Sequence, residues 1–152
     1  MPPSKRIEPI RLLDVNALLA ITRRGHLHHE AAHAWLDTLP VGSTWATCPI
    51  TEASFLRLSM NPAVSGTALT GIDALALLED LRQIAGHRFI ADPTSLAVSR
   101  LDRRRLVGHK QVTDFHIVNL VASSNAVLAT FDRRIREALA PEDRDYVEII
   151  PV

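Results

Sequence analysis

The sequence predicts an α/β fold in which a central parallel sheet of four to five strands carries helices on both faces. Three observations predict it. Short apolar runs of strand character alternate with longer runs of helical period, the connections between them are brief, and residues 108–134 read as one complete unit of that alternation. In this unit, GHKQVTDFHIVNLVASSNAVLATFDRR, a polar loop leads into a helix opened by Thr113-Asp114 in N-cap fashion, with Phe115, Val118, Leu120 and Val121 to bury. Ala126-Val127-Leu128-Ala129 follows, too short for a helix and apolar enough for a buried strand. Thr130, Phe131 and Asp132 come directly after it. One acid therefore stands at the start of a helix and another just past the carboxyl end of a strand. In open α/β sheets, sites form in the crevice outside those carboxyl ends.

The remaining elements follow in order. Residues 7–13 give a first strand, with Ile10, Leu12 and Leu13 leading into Asp14, and DVNALLAIT turns helical with Asn16 at its start. Arg23-Arg24-Gly25-His26 is a loop. Residues 29–39 form a second helix with Ala32, Trp35, Leu36 and Leu39 on one stripe, ended by Pro40 and Gly42. Residues 44–48 make a second strand, and Pro49 fits the first turn of the helix ITEASFLRLSM, which puts Glu52 in that turn. NPAVSGTALTG is a loop by its glycine, serine and proline content. Residues 72–84 are an amphipathic helix on Leu75, Leu78, Leu81 and Ile84, with Gly86 as its C-cap. Arg88-Phe89-Ile90 is a brief strand and residues 94–105 are another helix. Residues 135–139 give the last helix and residues 146–150 the last strand. No repeat, low-complexity tract or linker interrupts the series, so residues 1–152 read as a single domain.

Composition narrows the function. Hydrophobic residues make up 47% and charged residues 22%, as in an ordinary water-soluble domain. The single cysteine, Cys48, excludes an internal disulfide and a cysteine-based zinc cluster, and suits a reducing cytoplasm. The opening MPPSKRIEPIRLLD places prolines and charges where a signal peptide needs an apolar core, and no apolar run has the length of a membrane span. A cytoplasmic protein without a membrane partner is expected. Seventeen basic residues balance seventeen acidic ones, which excludes attachment to nucleic acid by bulk charge. Local basic runs remain at Arg103-Arg104-Arg105, His109-Lys110 and Arg133-Arg134-Arg136.

Four acids occupy element ends: Asp14 after a strand, Glu52 and Asp114 opening helices, and Asp132 after a strand. Singly, each is explained as a helix cap or a first-turn acid favoured by the helix dipole. Together, carboxylates delivered to one sheet edge repel each other and want a cation. Hard oxygen ligands without a Cys–His set point to Mg²⁺ or Mn²⁺.

The ordered segments DVNALLA, TEASFLRL, VTDFHIVNLV and ATFDRRI resemble the PIN-domain ribonucleases, most closely the VapC toxins of bacterial type II toxin–antitoxin pairs. The likeness extends through HHEAAHAWLDTL, WATCPITEASFLRLSMNPAV, LALLEDLRQIAGHRF and RLVGHKQVTD, nearly the whole chain; Val121 stands where a smaller alanine is common. The resemblance implies a PIN-like three-layer sandwich and makes Asp14, Glu52, Asp114 and Asp132 the acidic metal site, with Asn16 and Thr130 orienting carboxylates or water. It implies metal-dependent hydrolysis of RNA phosphodiesters leaving a 5′-phosphate and a 3′-hydroxyl, a VapB-like antitoxin as partner, and a homodimer. Arg57 and Arg133 are candidates to meet RNA phosphates, with surface ion pairs as the alternative.

Other readings compete. A PIN-fold protein could bind RNA or a partner without cutting, although such a binder has no need of clustered carboxylates. A phosphoacceptor switch domain would want one acceptor aspartate and a later lysine, where Thr130-Phe131-Asp132 supplies another acid. His29-Glu30-Ala31-Ala32-His33 matches the zinc-protease pattern H-E-x-x-H. Both histidines flank the apolar stripe of their helix, Glu30 points to solvent, and no third ligand stands out, so boundary histidines are expected there. His26, His28 and Trp35 are expected to be loop and core residues, and Cys48 a buried hydrophobe.

Overall fold

Five strands, β1 (Ile10–Leu13), β2 (Trp45–Thr47), β3 (His87–Phe89), β4 (Ala126–Thr130) and β5 (Val147–Ile149), pair in parallel in the order β3-β2-β1-β4-β5. The structure is a computed structural model and describes residues 7–152; the first six residues of the opening segment, whose prolines and charges argue against a signal peptide, lie outside them. The helices are α1 (Val15–Thr22), α2 (His29–Thr38), α3 (Pro49–Ser59), α4 (Pro62–Ser65), α5 (Gly71–Arg82), α6 (Val112–Ser123) and α7 (Arg133–Ala138).

Alternation along the central strands builds two cores. Leu12 and Leu128 face one side, where they join Phe115, Val118 and Leu120 of α6. Their neighbours Leu13 and Ala129 face the other, among Leu18, Trp35, Phe55 and Leu78 of α1, α2, α3 and α5. Helices thus cover both faces of a fully parallel sheet, the arrangement such sheets require. Leu12, Leu18 and Phe55 are fully buried, and each such side chain contributes about 1.5–3 kcal/mol of apolar burial.

The chain order places the functional crevice. From β1 the chain moves outward through β2 to β3, then crosses back to β4 on the other side of β1 and on to β5. The direction reverses between β1 and β4, and a crevice opens at their carboxyl ends. Leu13 is in register with Ala129, and the Asp14 N–H donates to the Ala129 carbonyl at 3.0 Å. Asp14 and Thr130 therefore stand side by side at that switch point.

Several elements differ from the sequence reading. Residues 94–105 do not form a helix; they hold only two 3₁₀ turns, Leu96–Val98 and Arg103–Arg105. Ser95 and Asp102 side chains accept from the backbone N–H two residues on, and the Arg100 N–H donates to Asn119 Oδ1 at 2.8 Å. Such bonds give the backbone partners that a helix would have supplied. The expected loop after α3 contains the single turn α4, capped by Asn61. Helix α6 begins at Val112, led in by a 3₁₀ turn at His109–Gln111, so Thr113 and Asp114 lie inside its first turn and do not cap it. Gln83 caps α5. Gly86 instead makes the turn into β3 at φ +86°, where a Cβ would meet the Ser43 carbonyl oxygen at 2.7 Å. Only glycine fits that turn.

Candidate active site

Asp14 leaves β1 and becomes the N-cap of α1. Its Oδ1 accepts the Val15 N–H at 2.8 Å, and its Oδ2 accepts the Thr130 hydroxyl at 2.7 Å. Both residues are buried, and Thr130 Oγ1 in turn accepts the Asp132 N–H at 3.1 Å. Burial pushes the Asp14 carboxyl above its ordinary range, while the bonds from Thr130 and Val15 pull it back. Asp114, in the first turn of α6, is pushed up to about 6 by burial and by the charges of Asp14 and Asp132. The three aspartates therefore act electrostatically on one another across the switch point.

Asp132 is held differently. It caps α7 by accepting the Arg134 N–H at 3.0 Å, and the Arg134 guanidinium grips it with bonds of 3.0 and 2.9 Å. This fork holds its carboxyl below the usual range. A cavity of about 330 Å³ opens here, with Lys110, Asp114, Asp132 and Arg134 at its rim and Phe115 and Ile135 on its apolar wall.

Glu52 is occupied elsewhere. The buried Thr47 hydroxyl donates to its Oε1 at 2.6 Å, and Arg82 stands 3.5 Å from the same oxygen. The Thr47 proton is committed to Glu52, so His87 Nε2, 2.8 Å from that hydroxyl, is the donor. This His87–Thr47–Glu52 chain, spanning β3, β2 and α3, had no sequence signal because it joins residues 40 apart.

Among the described residues, no group of three or more His, Cys, Asp or Glu side chains is gathered closely enough to hold a metal ion as it stands. The expected cluster of four acids is thus drawn only in part. Arg134 and Arg82 hold the two outer carboxylates, while Asp14 and Asp114 carry the raised affinity for protons. The donor set still fits a hard divalent cation: the oxygens are carboxylate, and their mutual repulsion is relieved by positive charge. Asp14, Asp114 and Asp132 are the residues that could hold one, while Glu52 is engaged by Thr47 and Arg82.

The supporting candidates separate. Thr130 contacts Asp14, whereas Asn16 is exposed and lines a second cavity with His26, Leu27, His28 and Phe131. Arg57 and Arg133 are exposed. Arg134 grips Asp132, Lys110 lines the cavity with Asp114, and Arg82 pairs with Glu52. The first two lay within basic runs of the sequence, where nothing distinguished them from neighbouring charges.

The H-E-x-x-H segment has a structural role. His29 Nδ1–H donates to the Ala20 carbonyl at 2.7 Å and His33 Nε2–H to the Ile21 carbonyl at 3.1 Å. The two rings cap the last turn of α1 and tie α2 to it.

The PIN domain family profile matches residues 11–139. This chain belongs to the PIN-domain family. Within that family it falls in the VapC-type ribonuclease branch. Ribonuclease VapC38 of Mycobacterium tuberculosis is 40% identical over 141 residues, spanning 93% of this PIN domain chain and 98% of the relative. Ribonuclease VapC39 of the same species is 39% identical over 128 residues, spanning 84% and 91%. The crystal structure of VapBC2 from Rickettsia felis, bound to a DNA fragment from their promoter, matches with a TM-score of 0.56 at 14% identity, over 93% of this chain and 99% of that one. At that identity the likeness establishes a shared PIN fold. Among the described residues no helix is long and apolar enough to cross a membrane.

Proposed function

We propose that this protein is the endoribonuclease toxin of a type II toxin–antitoxin pair, acting in the cytoplasm and hydrolysing RNA phosphodiester bonds at Asp14, Asp114, Asp132 and Glu52 with Mg²⁺ or Mn²⁺. The observation that carries the reading is the convergence of Asp14, Asp114 and Asp132 on the switch point of the sheet, in a chain whose long relatives are named VapC ribonucleases. A bound divalent cation would supply Lewis-acid stabilisation of phosphate charge and activation of the attacking water.

The chain's own residues divide the remaining work. Thr130 fixes the direction of the Asp14 carboxylate through the 2.7 Å bond. Burial and the two neighbouring carboxylates raise the affinity of Asp114 for positive charge, which a bound cation would satisfy. Lys110 and Arg134, at the rim of the cavity, are placed for phosphate oxygens of the strand. Arg57 and Arg133 remain further candidates for the RNA backbone. The partner is a VapB-like antitoxin and the assembly a homodimer.

Purified protein should cut single-stranded RNA in Mg²⁺ or Mn²⁺, stop when the metal is chelated, and resume when it is restored. RNA left intact at millimolar metal by folded protein would exclude the nuclease reading.

A further inference from the structure

The second cavity, about 440 Å³, shares Asp132 and Arg134 with the acidic site but is walled by side chains that site does not use. His28 lies almost parallel to Phe131, with ring centroids 4.7 Å apart and planes inclined by 23°. The two rings are stacked, and both remain part-exposed. Leu27, 88% exposed, adds an apolar wall beside them. The polar groups are placed with equal definition. His26 Nδ1 accepts the His28 N–H at 3.1 Å, so the proton of that ring sits on Nε2 as one fixed donor. Partial burial, then the neighbouring His28 and Arg23, pull the His26 imidazole below its ordinary range. Asn16 contributes an amide with both donor and acceptor faces.

We propose that this cavity is a nucleobase subsite, in which an unpaired base of the RNA strand extends the His28–Phe131 stack and has its edge read by Asn16 and His26. The proposal rests on the ribonuclease reading. It follows from placement: a group entering beside Asp132 and Arg134 is attached to a phosphate held at the acids, and a base is what such a phosphate carries. A flat stacking surface with hydrogen-bonding groups around it accepts a splayed-out base, which a duplex would keep within its own stack. An aromatic side chain of a protein partner could use the stacking surface, but it would leave the amide and imidazole donors unused.

The test is binding of a fluorescent single-stranded 12-nucleotide RNA, followed by anisotropy in Mg²⁺ with Asp14→Asn protein so that the strand stays intact. His28→Ala should weaken binding by about tenfold, the scale of one base–aromatic stack. His28→Phe, which keeps a stacking face, should stay within about twofold. Removing single bases from the RNA should locate one abasic position whose loss matches that of His28→Ala and adds nothing when the two are combined. The abasic series is read with His28 intact, so it stands even if a variant unfolds. Undiminished binding by His28→Ala, full additivity at every abasic position, or loss of a protein partner with RNA affinity intact would each overturn the subsite. Wild-type protein that cuts RNA alongside any of these results keeps the ribonuclease reading and loses the subsite alone. Protein that neither binds nor cuts RNA loses both.

Discussion

At the scale of single residues, the acids are not equivalent. Changed to asparagine, Asp14 keeps its cap, because the amide oxygen still accepts the Val15 N–H, and its Nδ2–H would then donate to Thr130 Oγ1 in a bond of reversed direction. Asp14→Asn should therefore fold and melt at or above the wild-type temperature without metal, while RNA cleavage falls by about 100-fold or more. Retained cleavage at matched Mg²⁺ would remove Asp14 from the site. Asp114 sets a pH dependence whose sign follows from linkage. Its carboxyl is raised to about 6 in the fold against 3.8 for the unreacted group, so between those values the folded state binds the extra proton. Stability from this residue falls as pH rises through that window and is flat above it. Metal-free wild type should thus approach the melting temperature of Asp114→Asn as pH drops from 7 to 5. A constant difference over that range would contradict the raised carboxyl. Arg134 is a third case. The triplet Asp102-Arg103-Arg104 forms the same cap and the same two-bonded fork as Asp132-Arg133-Arg134, so the grip on Asp132 is a local habit of that triplet at a turn or helix start. Exposed pairs of this kind are weak because water and salt screen them. Arg134→Ala should accordingly lower the Mn²⁺ concentration giving half-maximal thermal stabilisation by up to about fivefold. An unchanged midpoint would show that Arg134 does not compete for the carboxylate.

At the scale of elements, legibility followed the physical range of the signal. The strand ending at Leu13, the strand over Ala126–Ala129 (which the structure extends by Thr130), the helix after Pro49 and α5 all carry local periodicity or a cap, although Leu75 and Ile84 of the expected α5 stripe are exposed. The false helix over residues 94–105 shows the limit, because Asn119 on α6, 19 residues away from its partner Arg100, takes over a backbone donor there. Likewise the position of Glu52 in a first turn was legible, but its partners Thr47 and Arg82, and His87 behind Thr47, were not. In the sequence His26 and His28 have the look of ordinary loop residues, because Phe131, which completes their cavity, lies over 100 residues downstream. Helix α2 gives a test at this scale. His29→Ala and His33→Ala each remove one bond to a carbonyl of α1, so each should cost about 0.5–1.5 kcal/mol of stability. RNA cleavage should stay within about twofold at a temperature where the variants are folded, since neither ring touches the acids. Loss of stoichiometric zinc or of protease activity in either variant would reopen the metalloprotease reading.

At the scale of the whole molecule, the switch point concentrates charge that folding alone does not neutralise. Asp14 and Asp114 repel one another's charge without a guanidinium fork on either, while Asp132 and Glu52 are held by cations of the chain itself. The same oxygens can therefore be satisfied by a metal or by an arginine. An antitoxin segment that lays an arginine or lysine against Asp14 or Asp114 would do what Arg134 does for Asp132, with charge-assisted bonds in place of coordination. Inhibition and metal binding should then oppose one another, because both neutralise one set of carboxylates. The toxin reading further leads us to expect a dimer in solution, poor yield when the gene is expressed alone, and rescue by co-expression with an adjacent small gene. The opposition is measurable by titrating Mn²⁺ against the purified complex and following released RNase activity. Activity should rise with metal at a midpoint above that of free protein, and the midpoint should move upward as more antitoxin is added. Equal activity of complex and free protein at every metal concentration would rule out occlusion of the acids. A midpoint indifferent to antitoxin would place the inhibitory contact away from the switch point, on a surface where no cation is shared.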